Sequence, residues 1–265
     1  MTVALEIREQ VAHVIIQRVH RRNALDAAGW TAIGERVQEA AASGARALIL
    51  RGEGDHFCAG MDLKLDNPLL GRAAQAITTQ DGADLKALII ELKGCLSPLR
   101  SFPGPTIAAI EGGCLGGGLE LALYCDVRIA GASATFAMPE PRIGFVPDVG
   151  GTTLLKRLVG PARATMLILS GRRINAENAF QMGIVESIHG DGEVLAAAEA
   201  LAADMALSAP TATGLVLDLL RNHDDDSLDD ALAAETEAGV KALLSGEALE
   251  GIGAFAERRA PRWNR

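Results

Sequence analysis

Three carboxylates stand in surroundings unusual for a charged side chain. Glu120 lies within LELALY, a mostly apolar helix start. Glu140 sits between prolines in MPEPRIGF, and Asp148 sits in VPDVGGT. A carboxyl among apolar neighbours holds its proton more tightly than one in water, which suits general acid–base work. Structural ion pairs would leave the same pattern, with Arg128 and Arg142 as the candidate partners.

Two further segments could bind a developing anion. Residues 55–64 read DHFCAGMDLK, and residues 112–126 read GGCLGGGLELALYCD. Each follows a strand-like run, passes through small residues and leads into a helical pattern. Such a turn exposes backbone N–H groups at the positive end of a helix. Two of them converging would make an oxyanion hole, where one donor is worth about 3 kcal/mol of transition-state stabilisation. The plainer reading is a pair of close-packed turns. Other chemistries lack their usual support. The Gly-rich run contains neither GxxxxGK[ST] nor GxGxxG, and the chain has no HExxH and no GxSxG.

These residues need elements to position them. Residues 11–17, 45–51, 105–110, 125–129 and 134–136 are short, β-branched or apolar runs and predict strands. Residues 27–42 place Trp30, Ile33, Val37 and Ala41 at helical spacing, and residues 81–99 do the same with Leu85, Leu88, Ile89, Leu92 and Leu96. Residues 119–124 and 151–158 predict two more helices, each entered through a glycine run. Strands alternating with helices indicate an α/β core. From about residue 193 the strand signal ends, and residues 194–207, 211–220, 228–243 and 248–259 read as helices. The expected division is therefore a catalytic α/β core over 1–192 and a helical C-terminal region over 193–265. The run DDDSLDD at 224–230 reads as a solvated loop feeding a helix N-terminus, where acids are favoured.

Composition narrows the classes further. The chain has 265 residues, 25 Lys plus Arg against 34 Asp plus Glu, and a formal net charge of −9. That balance argues against a nucleic-acid partner, and few aromatics are present for stacking on single strands. The longest stretch without Asp, Glu, Lys or Arg is the 13 residues 205–217, too short for a membrane span. The four cysteines, at 58, 95, 114 and 125, include no CxxC pair. They read as small core residues in a reducing cytoplasm, with no metal site implied. Gly is over-represented, with 29 residues, which marks tight turns and close backbone approaches.

Taken together, RRNALD (21–26), FCAGMDL (57–63), EGGCLGGGLELALYCD (111–126), MPEPRIGFVPDVGGT (138–152) and EGIGAFAERRAPRW (250–263) resemble the crotonase, or enoyl-CoA hydratase/isomerase, family. The resemblance covers essentially the whole chain in order. It implies a spiral of ββα units followed by helices used for trimerisation, with trimers that often pair into hexamers. It implies an acyl-CoA thioester as substrate, with no separate cofactor, and an oxyanion hole formed by the N–H groups of Met61 and Gly117. It implies that Glu120 activates the water that attacks C3 and that Glu140 delivers a proton to C2.

For coenzyme A itself the resemblance points to His20, Arg21, Arg22 and Ala24, to Ala59, Asp62 and Leu63, and to Phe255 and Arg258 on the last helix, often reaching a neighbouring subunit. Residues 66–80 are expected to wall the acyl pocket, with the next helix starting near Asp81. Two departures stand out. Val19 occupies a position where Pro is more usual. Asp148 stands where hydratases of the family usually carry Gly, and where members resembling dienoyl-CoA isomerases or 3-hydroxyisobutyryl-CoA hydrolases carry Asp. Asp148 is therefore either a third catalytic acid, favouring isomerisation or thioester hydrolysis, or a cap for the helix opening at Gly150.

Overall fold

The computed structural model describes residues 2–223 and 225–263. In chain order the elements are β1 (Val3–Arg8), β2 (Val11–Ile16), α1 (Ala27–Ala42), β3 (Ala47–Gly52), α2 (Pro68–Thr78), α3 (Gly82–Ser101), β4 (Thr106–Ile110), β5 (Gly113–Leu115), α4 (Gly117–Leu123), β6 (Val127–Gly131) and β7 (Thr135–Ala137). There follow α5 (Gly151–Val159), α6 (Pro161–Ser170), β8 (Ile174–Asn175), α7 (Ala176–Met182), β9 (Ser187–His189), α8 (Val194–Ala206), α9 (Pro210–Asn222), α10 (Leu228–Leu244) and α11 (Glu247–Ala256). Two 3-10 turns, Val19–Arg21 and Glu140–Ile143, precede functional segments.

A six-stranded sheet runs β1-β2-β3-β4-β6-β9, antiparallel only between β1 and β2. A smaller sheet, β5-β7-β8, stands beside it. Every residue of β2 and β4 is buried, as expected for strands covered on both faces. One face packs into a core that includes Trp30, Ile33 and Val37 of α1 and Leu92, Leu96 and Leu99 of α3. The other face, with Ala47, Ile49, Ile107 and Ile129, is covered by Val194, Ala198 and Ala202 of α8, which recur every fourth residue along one side of that helix. Thus α8, the first element after residue 192, packs directly onto the sheet.

Local signals explain several boundaries. Asp26 caps α1 by accepting from the Gly29 N–H. Residues 66–80, expected to wall the acyl pocket ahead of the next helix, themselves contain α2, begun by Asn67 as cap and Pro68 at the first position. The strand expected at 125–129 starts at Val127, because Cys125 and Asp126 belong to the turn that closes α4. Strands of two or three residues, such as β5, β8 and β9, are too short to show alternation. In the acidic run, Asp224 lies outside the described residues. Ser227 caps α10, with Asp229 and Asp230 in its first turn, as the charge pattern suggested. Cys58, Cys114 and Cys125 are buried free thiols, and Cys95 is partly buried.

Candidate active site

The three sequence-marked carboxylates meet at one cavity of about 200 Å³, walled by Trp30, Met61, Leu115, Ile143, Phe145 and Val149. Glu120 comes from the first turn of α4, Glu140 from the second 3-10 turn, and Asp148 from the loop before α5. Gly116, at the entry to α4, has φ +54°, a conformation open chiefly to glycine. A Cβ there would stand 2.8 Å from Glu140 Oε1, so the missing side chain also lets Glu140 close onto the turn.

Glu120 is 3% exposed, and its Oε1 accepts the N–H groups of Val149 and Gly151, both at 2.9 Å. That leaves Oε2 without a partner among the described residues. Burial pushes the Glu120 carboxyl up from 4.5 to about 8; the bond from Gly151 opposes this, the nearby Glu140 and Asp148 charges reinforce it, and the bond from Val149 opposes it. Glu140 is raised too, first by burial and further by Asp148, and its Oε2 is buried without a hydrogen-bond partner among the described residues. Burial also raises Asp148, against the pull of its own backbone N–H and of Lys93.

The structural alternatives for these acids are not what the fold shows. Arg128 pairs with Glu186 at 2.6 Å, and Arg142 donates to the carbonyl of Ser170. Neither guanidinium partners any of the three carboxylates. Helix α5 has Gly150 as its cap residue with no side-chain cap bond, so Asp148 does not cap it. The Gly151 N–H, which a cap could have taken, goes to Glu120 instead.

The two glycine-bearing turns do converge. The isolated parallel bridge Cys58↔Cys114 lays the first turn beside the second, and the bridge Leu25↔Met61 ties the first turn to residues 21–26. Leu25 N–H donates to the Gly60 carbonyl and Asp62 N–H to the Leu25 carbonyl, both at 2.8 Å, which leaves the Met61 N–H pointing the other way. Among the described residues neither the Met61 nor the Gly117 N–H has an acceptor. A Cβ on Gly117 would lie 3.6 Å from the Met61 nitrogen, and one on Gly60 would lie 3.0 Å from the Gly117 nitrogen. The two free donors are therefore neighbours on the wall of the carboxylate cavity.

The residues expected to hold coenzyme A divide into two groups. Arg21, Arg22 and Ala24 lie beside Ala59, Asp62 and Leu63, joined by a bond from the Ala59 N–H to the Arg22 carbonyl. Arg22, His20 and Leu63 are exposed, Arg21 and Ala59 are partly buried, and Ala24 is buried. The Asp62 carboxylate is buried and engaged by Arg18 at 3.0 Å, so its side chain serves the scaffold. Phe255 and Arg258 are not brought to this region within one chain. Helix α11 begins with Glu247 bonded to Thr211 of α9, and Phe255 is 87% exposed.

Sequence reasoning missed the supports of the binding loop. Arg18 bridges Asp26 at 2.9 Å and Asp62 at 3.0 Å and also donates to the Ala24 carbonyl. Asn23, at φ +57°, accepts from the Arg18 N–H and donates to the carbonyls of Glu53 and His56. Its signal was there: Asn is the non-glycine residue that tolerates this conformation best. Among the cavity walls, Ile143, Phe145 and Val146 are 54%, 42% and 61% exposed, an apolar rim that sequence alone could not have marked as pocket.

Comparison with known proteins agrees with this geometry. The family profile described as enoyl-CoA hydratase/isomerase matches residues 6–265. The sequence is 37% identical over 222 residues to a probable enoyl-CoA hydratase of Bacillus subtilis (strain 168), covering 83% of this chain and 82% of that protein. It is 34% identical over 267 residues to the carnitinyl-CoA dehydratase of Proteus mirabilis (strain HI4320), covering 98% and 97%. The crystal structure of an enoyl-CoA hydratase from Bacillus anthracis superposes with a TM-score of 0.89 at 30% identity over 99% of both chains.

Proposed function

The chain belongs to the enoyl-CoA hydratase/isomerase family, and we propose that it adds water across the C2=C3 bond of 2-enoyl-CoA thioesters. The observation that carries this reading is one cavity holding the buried Glu120 and the partly buried Glu140, neither with a cation partner among the described residues, beside two backbone N–H groups without acceptors among the described residues. In this reading the thioester oxygen sits against the Met61 and Gly117 N–H groups. Negative charge builds on that oxygen as a water oxygen adds to C3, and preorganised donors favour the charged state over the neutral one. Glu120 takes a proton from the attacking water, and Glu140 gives one to C2. The bonds from Val149 and Gly151 hold Glu120 in place and support its ionised form. Its raised proton affinity makes it a stronger base than an ordinary glutamate. Addition of water transfers no electrons, so the reaction calls on no redox cofactor.

In the same proposal Arg21, Arg22, Ala24, Ala59 and Leu63 bind the coenzyme A moiety. Cations on this loop draw in an anionic ligand despite the net charge of −9. Exposed Leu228, Leu232, Leu243 and Leu244 of α10 with Leu249 and Ile252 of α11 support assembly into trimers or hexamers. There Phe255 and Arg258 would serve the coenzyme A site of a neighbouring subunit. Light scattering at micromolar concentration tests this, and a monomer would count against it.

One observation favours a second reading. Asp148 lines the cavity and caps nothing, so a third acid is available to move a proton along the acyl chain, as double-bond isomerisation requires. The discriminating assay offers the purified protein crotonyl-CoA and longer 2-enoyl-CoAs, then a 3,5-dienoyl-CoA, following double-bond absorbance. Loss of the enoyl absorbance supports hydration. Isomerisation of the dienoyl substrate without any hydration would move the assignment to the second reading.

A further inference from the structure

We propose that the indole N–H of Trp30 is a third hydrogen-bond donor to the thioester oxygen, beside the backbone N–H groups of Met61 and Gly117. The inference rests on the acyl-CoA reading above. Among the described residues, the buried side-chain polar atoms without a partner are His13 Nδ1, Trp30 Nε1, Arg36 Nε, Arg51 Nε, Glu140 Oε2 and Thr213 Oγ1. Two of these residues, Trp30 and Glu140, line the same cavity. His13 and the two arginines keep other nitrogens for bonding, whereas Nε1 is the one polar atom of a tryptophan side chain. A buried indole N–H ordinarily has an acceptor, so its absence here marks a bond that a ligand completes.

Placement selects the ligand atom. Trp30 is 1% exposed and projects from α1 into the core beside the entry to α4. Its Cζ2 and Cη2 lie 3.2 and 3.3 Å from where a Gly117 Cβ would stand, and the Met61 nitrogen lies 3.6 Å from the same point. Cζ2 and Nε1 are both bonded to Cε2, so the nitrogen sits next to the Cζ2–Cη2 edge that meets the Gly117 turn. The Met61 and Gly117 N–H groups, both without acceptors among the described residues, flank that edge, and an oxygen that satisfies them both comes up against the indole. Glycine at 117 is part of the arrangement, since any side chain there would push the ring away from the turn.

The test uses the indole itself. The chain has 2 Trp, and Trp263 Nε1 already donates to the Leu207 carbonyl at 2.7 Å. In ¹⁵N-labelled W263F protein the single indole cross-peak belongs to Trp30. Butyryl-CoA, a saturated thioester, is expected to move that peak downfield. S-butyl-CoA, the thioether without the carbonyl, is expected to bind and perturb backbone amides without moving it. Backbone shifts from butyryl-CoA with a still indole peak would overturn the Trp30 assignment and leave the acyl-CoA reading standing. The same downfield shift from both ligands would also overturn it, since the acceptor would then not be the carbonyl. If neither ligand perturbs any amide, the acyl-CoA reading fails and the inference with it. As a kinetic check, W30F should lower kcat on crotonyl-CoA about tenfold, the scale of one hydrogen bond, with little change in KM. Equal loss of kcat and gain of KM, or no loss, would mean the ring only packs.

Discussion

Two groups of buried or partly buried carboxylates in this molecule are treated in opposite ways. Asp126 is held bidentately by Arg221, at 2.7 Å to Nε and 2.6 Å to Nη2, and also accepts from the N–H and hydroxyl of Thr106. The guanidinium is itself completed by the carbonyls of Arg100, Phe102 and Gly104. Across α4 stand Glu120, Glu140 and Asp148, with no arginine beside them and with raised proton affinity. A carboxylate whose lone pairs are all used and whose charge is matched stays ionised and ties α9 to the sheet. A carboxyl with no guanidinium to match it holds its proton more tightly than usual and can exchange it with a ligand. The difference lies in the partners, not in the residue type, and it separates a group that stabilises the fold from groups suited to chemistry.

The largest expected effect breaks the catalytic half of that contrast. Glu120→Gln and Glu140→Gln should each lower kcat for hydration about 10²–10⁴-fold, the usual contribution of a positioned acid or base. The melting temperature should not fall to match, since neither carboxylate forms an ion pair among the described residues and glutamine keeps an oxygen for the Val149 and Gly151 N–H groups. Steady-state assays on crotonyl-CoA beside thermal melts check both halves. Full activity in either variant would remove that residue from the mechanism.

Asp126→Ala should give the reverse pattern. Removing one member of a buried ion pair leaves the other charge unmatched, which costs about 3–5 kcal/mol of stability. Denaturant unfolding would show the loss, while kcat per folded molecule should stay near the wild-type value. A large fall in kcat without loss of stability would show that the two groups of acids are not separate in function.

The raised Glu120 sets a pH dependence whose sign follows from linkage. The unfolded chain releases this proton near 4.5, whereas the native protein releases it near 8. Between those values the native state binds more protons, so its contribution to stability is full below 4.5 and declines as pH rises to 8. Glu120→Gln lacks this titration. The melting temperature of the variant relative to wild type should therefore climb across that window. A constant difference across the window would contradict a protonated Glu120 in the native protein. In activity, kcat/KM should rise with an apparent pKa near 8 as the base ionises, a value that belongs to the coupled acids together.

How much of this was legible beforehand depended on which physical signal carried it. The buried strands β2, β3 and β4 are apolar runs, and α1 and α3 show helical spacing, so these were readable. Glu120, Glu140 and Asp148 were visible because an acid among apolar residues is conspicuous. The convergence of Glu120 and Glu140 was implied only by the family resemblance, and local signals could not show it, because it depends on a 3-10 turn and a loop brought to α4 by tertiary packing. The Arg18–Asp26–Asp62 network joins residues distant in sequence, and Asp62 alone looked like a ligand contact. Helix α2 was readable in principle from its Ala, Leu, Gln and Arg content and its Asn67-Pro68 start, but Gly71 interrupts the segment and sequence reasoning missed it.

The smallest effect is also the one that places Asp148. Its charge raises the proton affinity of both Glu120 and Glu140. Asp148→Asn removes that charge while keeping the size of the side chain, so both glutamates should release their protons at lower pH. The rising limb of kcat/KM should move to lower pH, making the variant faster than wild type below the limb and equal to it above. No cap is lost, because α5 takes none from residue 148, so the melting temperature should change little. If the limb stays put while dienoyl-CoA isomerisation disappears, Asp148 handles a proton directly and the isomerase reading gains. If the limb moves and any isomerase activity survives, Asp148 acts on the two glutamates through its charge alone, as an acid left unpaired in order to tune its neighbours.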